Sequence, residues 1–467
     1  MPLVDSETVT VAGVRVRGAT LLYVVLEDLL IVGALLGASA FAHFGRVTVL
    51  HSPLSLANAL LIMAGLKAAF FWSGLYDFRH VPTRAVFWRR LALGLGLGSA
   101  VAAGVWYGLL REWVACLAFV AALVPVVTLG RLAFEYVSRT GRFRRRVLFL
   151  GVGHEAQRTA REILDLCARD YELVGFLSEG TDEREWRIGG RNVLGTYKDL
   201  GAVVLEHRVD QVVVAVDDRR KGLPLEELLR VRLAGTQIAE EARLHEEIAG
   251  KIPVEDLRPS WLIFSEGFIN SRLRNVTKRV FDVTVAGLGL LLSSPLALLA
   301  AIAVRLESKG PVIYRQERVG QGGRPFTLCK FRSMREDAEA SGTPQWAQED
   351  DPRITRVGRF LRKTRIDEIP QMWNVLQGTM SFVGPRPERP FFVQQLREKI
   401  PFYDQRHALK PGVTGWAQVR YRYGSDEADA VEKLRLDMFY IKHHSILFDL
   451  RILLETARVI FDGEKGR

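Results

Sequence analysis

The sequence predicts three structurally different parts: an α-helical membrane domain with four transmembrane helices, an α/β domain with a parallel sheet, and a mostly α-helical domain that carries one more membrane helix. Four long apolar stretches fill the first third of the 467 residues, a strand, glycine turn and helix pattern follows, and another apolar stretch begins at Val283. A chain of this length is expected to form two or three domains. We place them at 1–140, 141–270 and 271–467.

The four apolar stretches lie at approximately 19–42, 53–75, 91–110 and 113–137. Each approaches the roughly 20 residues that cross a bilayer, and the first is too long and lacks the cleavage site of a signal peptide. Only Arg46 and Arg111 lie on one side, whereas the other side has Arg15, Arg17, Arg79, Arg84, Arg89, Arg90, Arg139, Arg142, Arg144, Arg145 and Arg146. Because positive charge favours the cytoplasm, the N-terminus and everything after residue 140 are predicted to be cytoplasmic.

Glu27, Asp28 and Lys67 interrupt the first two stretches. Charged groups in hydrocarbon need a partner or an aqueous cavity. Glu27 and Lys67 each lie about eight residues, or roughly 12 Å, from the cytoplasmic end of their helix, so the two side chains are predicted to be able to pair. Such a pair is either a structural contact or part of a route for lipid or polysaccharide.

The second part begins with an apolar strand at residues 147–150, followed by Gly151, Gly153 and a helix. This spacing is typical of a Rossmann-like dinucleotide-binding turn, and Glu179 stands where an acid could bind a ribose. Apolar runs at 173–177 and 211–216 extend the predicted parallel sheet. A single such turn is weak evidence for a bound nucleotide, and the domain lacks the Tyr-x-x-x-Lys pair of many nucleotide-sugar enzymes. A structural or regulatory role and nucleotide binding at Gly151 and Gly153 both stay open.

The third part contains adjacent carboxylates, Asp367 and Glu368, after a run of cations. Asp367 is predicted to be the N-cap of a helix whose first turn contains Pro370. A helix N-terminus favours anions, and adjacent helical residues point in directions about 100° apart, so the two acids can have different roles. An acidic first turn that only complements the helix dipole is the alternative. Basic segments at 314–320, 330–334, 384–387 and 410–416 favour a site for a polyanion such as phosphate.

These segments resemble the bacterial sugar transferases, which are large monotopic phosphoglycosyl transferases of exopolysaccharide and O-antigen assembly. The resemblance covers nearly the whole chain and is most specific in residues 278–467, including 330–334, the Asp367 and Glu368 pair, 380–387 and 437–442. Residues 259–264 and 421–423 are similar to the exosortase-associated branch.

The resemblance implies that Asp367 attacks the β-phosphate of a UDP-sugar, that UMP leaves, and that the phosphosugar passes to undecaprenyl phosphate. Glu368 is predicted to be a general base or orienting acid. Mg²⁺ is the expected cofactor, with Asp367 as its protein contact, because Mg²⁺ takes few protein oxygens and neutralises diphosphate charge. The predicted phosphate-binding residues are Lys330, Arg332, Arg386 and Arg318, of which Arg386 is the main candidate.

Residues from Val283 to Arg305 are long enough to cross the bilayer. Basic residues precede and follow this stretch, which favours two cytoplasmic ends, and the Ser293, Ser294, Pro295 sequence suits a bend because proline removes a helical donor. The resemblance implies the same re-entrant helix, at about 279–307. A proline-kinked spanning helix is the alternative.

Composition fits a membrane enzyme with anionic partners. Lys and Arg number 64 against 53 Asp and Glu, a net charge of +11 that suits anionic lipids and substrates. The sequence has neither a zinc-finger nor a basic-zipper pattern, so nucleic acid is not an expected partner. Cys116, Cys167 and Cys329 are scattered, and no disulfide framework is expected. We expect a homodimer in the bacterial inner membrane, with the catalytic domain on the cytoplasmic face. Two rival functions are an NAD-dependent nucleotide-sugar dehydratase or epimerase and a non-catalytic membrane scaffold.

Overall fold

The structure is a computed structural model, and the chain forms two compact units, residues 1–10 with 15–249 and residues 11–14 with 250–467. Within them, the structure describes residues 8–11, 14–42, 53–76, 83–105, 113–139, 144–167, 170–180, 187–188, 191–216, 223–254, 271–335, 338, 351–421 and 426–462. Residues 259–264, 422 and 423, together with Arg46, Arg79, Arg111 and Arg142 beside the first four helices, therefore lie outside the described residues. The two predicted boundaries between the three domains stay predictions.

The first unit begins with two short strands and four apolar helices. They are β1 (Thr8–Val11), β2 (Val14–Arg17), α1 (Gly18–Ala42), α2 (Pro53–Trp72), α3 (Arg84–Val105) and α4 (Trp113–Arg139). Helix α1 packs on α4 and α2 packs on α3, with Ile31, Leu66 and Phe119 fully buried between the helices. Among the described residues, Arg84–Val105 and Cys116–Val137 are long and apolar enough to cross a membrane, whereas Leu56–Trp72 is shorter. The chain is a membrane protein, and the predicted count of four crossings stays a prediction.

The charged residues of these helices do pair, but the predicted partners were wrong. Lys67 forms an ion pair with Asp28. Glu27 instead pairs with Arg131 of α4, whose Nε lies 3.3 Å from Glu27 Oε1. The hydroxyls of Tyr23 and Tyr76 donate to the same carboxylate at 2.7 and 3.0 Å. Adjacent residues on α1 point in different directions, so Glu27 and Asp28 face different neighbours.

A parallel sheet with helices forms the rest of the first unit and confirms the Rossmann-like prediction. The strands are ordered β5-β6-β4-β3-β7-β8, and every pair is parallel except β5 with β6. Its elements are β3 (Arg145–Leu150), α5 (His154–Leu166), β4 (Tyr171–Ser178), β5 (Arg187–Ile188), β6 (Arg191–Thr196), α6 (Leu200–Glu206), β7 (Gln211–Val214), α7 (Leu225–Leu233), β8 (Gln237–Glu240) and α8 (Glu241–Ala249).

Gly151 ends β3 in a conformation that requires glycine. Its φ is +116°, and a Cβ atom there would lie 2.2 Å from the carbonyl oxygen of Ala215. Gly153, two residues later, is the N-cap of α5. The close approach of Gly151 to the end of the neighbouring strand explains this glycine by packing alone, and nucleotide binding stays a prediction.

The second unit is built around the long helix α9 (Arg272–Glu307). The remaining elements are β9 (Ile313–Val319), β10 (Pro325–Phe331), α10 (Arg356–Lys363), α11 (Gln371–Gln377), β11 (Ser381–Val383), α12 (Pro390–Lys399), β12 (Gly412–Thr414), α13 (Trp416–Arg420), α14 (Glu427–His443) and α15 (Ile446–Asp462). Strands β9 and β10 pair antiparallel, and β11 and β12 pair parallel. Helices predominate, as the sequence predicted.

Helix α9 continues across Pro295, and the serines before the proline compensate for its missing N–H. In a regular helix the residue at 295 would donate to the carbonyl of Leu291. The hydroxyl of Ser294 donates to that carbonyl at 2.8 Å instead, and the hydroxyl of Ser293 donates to Gly289 O at 2.7 Å. The predicted role of serine at this position is confirmed. The sharp bend stays a prediction.

Candidate active site

The dyad lies in a short 3-10 turn, Ile366–Glu368, directly after Arg365 in the left-handed conformation with φ 59°. Pro370 then precedes α11. The prediction that Asp367 is the N-cap of the helix is therefore wrong, because the proline starts the helix three residues later. Ile366 and Ile369 anchor the turn in the apolar core beside α9, which leaves Asp367 only 6% exposed and Glu368 only 8% exposed.

Glu368 is surrounded by cations from three segments. Its Oε1 lies 3.1 Å from Arg386 Nη2, 3.3 Å from Arg365 Nη1 and 3.4 Å from Lys330 Nζ. Burial by itself would raise the pKa of Glu368, but the charges of Arg386, Lys330 and Arg365 outweigh it and hold the pKa well below its ordinary value. Glu368 is therefore an ionised carboxylate that gathers three positive side chains.

Asp367 has the opposite environment although it is the adjacent residue. Its Oδ1 is buried and has no hydrogen-bond partner among the described residues. Burial and the negative charge of Glu368 raise the pKa of Asp367, against the attraction of Lys330, Arg362 and Arg365. Paired carboxylates whose environments shift their pKa values in opposite directions can divide the chemical work between them. The unpartnered Oδ1 of Asp367 is the candidate contact for a ligand.

Arg386 reaches the dyad from the loop that follows β11. Parallel pairing of β11 with β12 fixes the start of this loop, and Gly384 packs so tightly there that a Cβ atom would lie 2.4 Å from Lys410 O. The guanidinium then uses Nη2 for Glu368 and Nη1 for the side-chain oxygen of Gln418, at 2.9 Å. Both contacts lie at one end of a planar fork, which fixes its orientation.

A buried ion pair behind this loop was missed in the sequence. Arg406 Nη2 donates to Arg386 O at 3.1 Å and to Asp437 Oδ2 at 2.8 Å, and its Nη1 donates to the hydroxyl of Tyr403. Burial raises the pKa of Asp437 to about 6 in spite of Arg406. Two signals were available: residues 437–442 belong to the family resemblance, and Asp437 lies among apolar residues of α14, which marks a carboxylate in need of a buried partner.

The other predicted phosphate-binding residues divide into two groups. Lys330 lies at the dyad, as does Arg386. Arg332 is 6% exposed and donates to the backbone and side chain of Ser308, and Arg318 donates to Gln316 and Pro387 O. Burial lowers the pKa of Arg318 to about 10, against the charge of Glu388. The structure therefore brings Lys330 and Arg386 to the dyad, and it places Arg332 and Arg318 against other parts of the fold.

Metal binding can be tested against the same geometry. In the part of the chain that the structure describes, no cluster of three or more His, Cys, Asp or Glu side chains is suited to a metal ion. Magnesium commonly binds one or two carboxylates together with substrate phosphates and water. The unpartnered Oδ1 of Asp367 fits that kind of contact.

Comparisons with known proteins support these observations. Residues 273–463 match the bacterial sugar transferase family, and residues 74–222 match a CoA-binding domain. A UDP-N-acetylgalactosamine-undecaprenyl-phosphate N-acetylgalactosaminephosphotransferase of Aeromonas hydrophila is 40% identical over 61% of this chain and 64% of that protein. A UDP-glucose:undecaprenyl-phosphate glucose-1-phosphate transferase of Xanthomonas campestris pv. campestris is 34% identical over 78% of this chain and 75% of that protein.

A third relative is much shorter. The exopolysaccharide production protein PSS of Rhizobium leguminosarum bv. phaseoli is 41% identical over 188 residues, which cover 39% of this chain and 94% of that protein. The chain thus spans 64% of the Aeromonas protein and nearly all of the Rhizobium protein. On the similarity to the Xanthomonas protein and on the match of residues 273–463, the chain belongs to the bacterial sugar transferase family.

Proposed function

We propose that the protein transfers a sugar 1-phosphate from a UDP-sugar to undecaprenyl phosphate, which starts exopolysaccharide assembly. One observation carries this proposal. The buried Oδ1 of Asp367 has no hydrogen-bond partner among the described residues, and the adjacent Glu368 contacts three cations. In this proposal Asp367 is the nucleophile, and the three cations around Glu368 supply positive charge beside it. The names of the Aeromonas and Xanthomonas relatives give the same reaction class, with different sugars.

The reaction has two displacements at one phosphorus. Asp367 attacks the β-phosphorus of the UDP-sugar, a carboxylate oxygen to phosphorus bond forms, and the bond to the UMP oxygen breaks with its electron pair leaving on UMP. An oxygen of undecaprenyl phosphate then attacks the same phosphorus and displaces Asp367. The products are UMP and undecaprenyl-diphosphate sugar, and the carboxylate is regenerated.

The cationic side chains around the proposed phosphate site stabilise its negative charge. Arg386, Lys330 and Arg365 lie where phosphate oxygens would gain negative charge, and water is excluded by the burial of the turn. Glu368 orients these cations and is the proposed general base for the acceptor. Mg²⁺ bound by Asp367 would supply neutralisation of the diphosphate charge.

We also propose that α9 is re-entrant, so that the second unit stays on the cytoplasmic face of the inner membrane. A straight helix of 36 residues would measure about 54 Å. Near its beginning Lys278 Nζ pairs with Asp449 at 2.7 Å, and at its end Glu307 accepts the backbone N–H of Val357 at 3.1 Å. Both ends of the helix therefore contact the same compact unit, which favours entry and exit through one leaflet.

The topology has a direct test in a protein freed of its native cysteines. Asn275 and Lys309 are exposed at the two ends of α9, so cysteine at either position leaves the buried Lys278 contacts intact. Both cysteines should react with an impermeant thiol reagent only from the cytoplasmic side. Labelling of position 309 from the outside alone would contradict the re-entrant helix.

The activity is tested by offering a panel of UDP-sugars with undecaprenyl phosphate and measuring UMP release. Release with one sugar, dependent on Asp367, supports the proposal and identifies the sugar. Tightly bound NAD with turnover of UDP-sugar but no UMP would favour a dehydratase or epimerase. A folded protein that acts on no sugar nucleotide would favour a scaffold. Homodimer formation stays a prediction.

A further inference from the structure

Basic side chains also gather at the N-terminal end of α9, and in the described ranges none of them forms an ion pair with the dyad. Lys278 and Arg279 lie on α9, and Lys410 lies just before β12. We call these three residues the basic corner. Each is half-buried, so each charge has lost part of its hydration and requires compensation from a neighbour.

Two members of the basic corner are compensated within the fold. Arg279 donates to Val375 O at 2.5 Å and to Leu376 O at 2.6 Å, which satisfies carbonyls at the C-terminal end of α11. Lys278 pairs with Asp449 at 2.7 Å and with Asp282 at 3.0 Å. These contacts are structural, and they occupy the carboxylates of this region.

Lys410 is not compensated in the same way. Its Nζ lies 3.7 Å from the position that a Cβ atom on Gly378 would occupy, and Arg279 Nη2 lies 3.5 Å from the same point. In the described ranges, no carboxylate lies within ion-pair distance of Lys410. The negative charge of Asp282 acts on Lys410, but Asp282 already accepts hydrogen bonds from Lys278, from the hydroxyl of Ser381 and from the N–H of Phe382.

The electrostatics of Lys410 agree with this geometry. Burial and the positive charges of Arg279 and Lys278 lower the pKa of the Lys410 ammonium, and Asp282 opposes them only in part. Two neighbouring cations repel each other. If no carboxylate compensates one of them, binding of an external anion between the two lowers the free energy.

Apolar side chains beside the basic corner indicate where that anion comes from. On α9, Val276 is 60% exposed and Val280 is 61% exposed, in the same helical segment as Lys278 and Arg279. Trp373, on the helix that Arg279 caps, is 55% exposed. Exposed tryptophan and valine near half-buried basic groups are typical of the level at which lipid headgroups meet the hydrocarbon of a membrane.

We propose that Lys410, with Arg279 beside it, binds the phosphate group of a membrane lipid at the headgroup level. The ligand class is a lipid phosphate, either the diester of an anionic phospholipid or the monoester of a polyprenyl phosphate. The ammonium of Lys410 contacts the phosphate, and the charge of Arg279 adds attraction while its N–H groups stay on α11. The second possibility rests on the proposed transferase function, whereas the first does not.

The test measures binding rather than turnover, so its failure leaves the transferase proposal intact. Full-length protein in a neutral detergent is titrated with dioctanoyl phosphatidylglycerol, with a short-chain polyprenyl phosphate and with phosphate-free dioctanoylglycerol, and dissociation constants are taken from native mass spectrometry. Replacing Lys410 by Gln is expected to weaken binding of a phosphate lipid about tenfold, the loss of one charged contact. Lys410→Arg should retain binding.

The control and the outcomes separate the alternatives. Lys309→Gln removes one exposed charge from the other end of α9 and should leave all three constants unchanged. Weakening of phosphatidylglycerol alone assigns the site to phospholipid, and weakening of polyprenyl phosphate alone assigns it to the acceptor. The proposal is wrong if folded Lys410→Gln protein, with the wild-type melting temperature, binds both phosphate lipids as the wild type does, or if dioctanoylglycerol loses affinity equally.

Discussion

Two of the places where the chain sets carboxylates among cations, the first four helices and the dyad, differ in whether their charges balance. In the first four helices, Glu27 pairs with Arg131 and Asp28 pairs with Lys67. At the dyad, Glu368 alone contacts three cations while Asp367 keeps a buried oxygen without a partner among the described residues. A cluster in which each carboxylate has a cation stabilises the packing of helices. A cluster with more cations than paired carboxylates can instead bind an anionic ligand.

The largest expected effect comes from replacing the carboxylate of Asp367. Asp367→Asn keeps the size of the side chain but removes the nucleophile, so turnover should fall at least about a thousandfold. Radiolabelled UDP-sugar without lipid acceptor should leave a phosphosugar adduct on the wild type and none on the variant. Because Oδ1 accepts no hydrogen bond from the described residues, the melting temperature should stay close to that of the wild type. A fully active Asp367→Asn protein would show that Asp367 is not the nucleophile.

The balanced cluster should show the opposite behaviour. Glu27→Gln removes the negative charge from the buried ion pair with Arg131, and we expect a loss of about 3 kcal/mol in the free energy of unfolding. The rate per folded molecule should stay close to the wild-type value. The double variant Glu27→Gln/Arg131→Gln is the control, since removing both charges should restore part of the stability. A normal melting temperature for the single variant with a lost rate would place function, not structure, in the membrane helices.

Arg386→Lys tests whether the planar guanidinium of Arg386, and not only its positive charge, is required for turnover. A lysine keeps the charge but cannot contact Glu368 and Gln418 together, as the two Nη atoms of Arg386 do. Turnover should fall about tenfold. Lys399→Arg, a matched exchange at an exposed residue paired with Glu427, should have no effect. An unchanged rate for Arg386→Lys would move the phosphate contact to another cation.

A smaller, pH-dependent effect is expected from the ion pair behind Arg386. The pKa of Asp437 is raised to about 6 by burial, against the charges of Arg406 and Lys433 and with the help of Glu388. An ordinary aspartate titrates near about 4, so the folded state binds more protons than the unfolded state between these values, and this contribution to stability is lost as the pH rises through about 6. Asp437→Asn should remove that dependence. We would compare melting temperatures of both proteins from pH 4 to 7, and parallel curves would contradict the shift.

Much of the architecture follows from local patterns. The apolar stretches, the glycine turn after β3 and the serine that satisfies Leu291 O before Pro295 depend on residues close together in sequence. Hydrophobic period, glycine at positive φ and the missing proline donor act over a few residues, which is why they could be predicted. The adjacent acids among cations likewise pointed to a phosphate site without any tertiary contact.

The sequence by itself therefore determined the succession of membrane helices, Rossmann-like sheet and helical unit, together with the acids and cations of the candidate site. Only the tertiary structure decided that Glu27 meets Arg131, 104 residues away, and that Arg406 links Asp437 to the backbone of Arg386. It also decided that Arg332 faces Ser308 rather than the dyad. The physical reason is that charged side chains can choose among many partners, and the choice is made by packing between distant segments, which no local pattern contains.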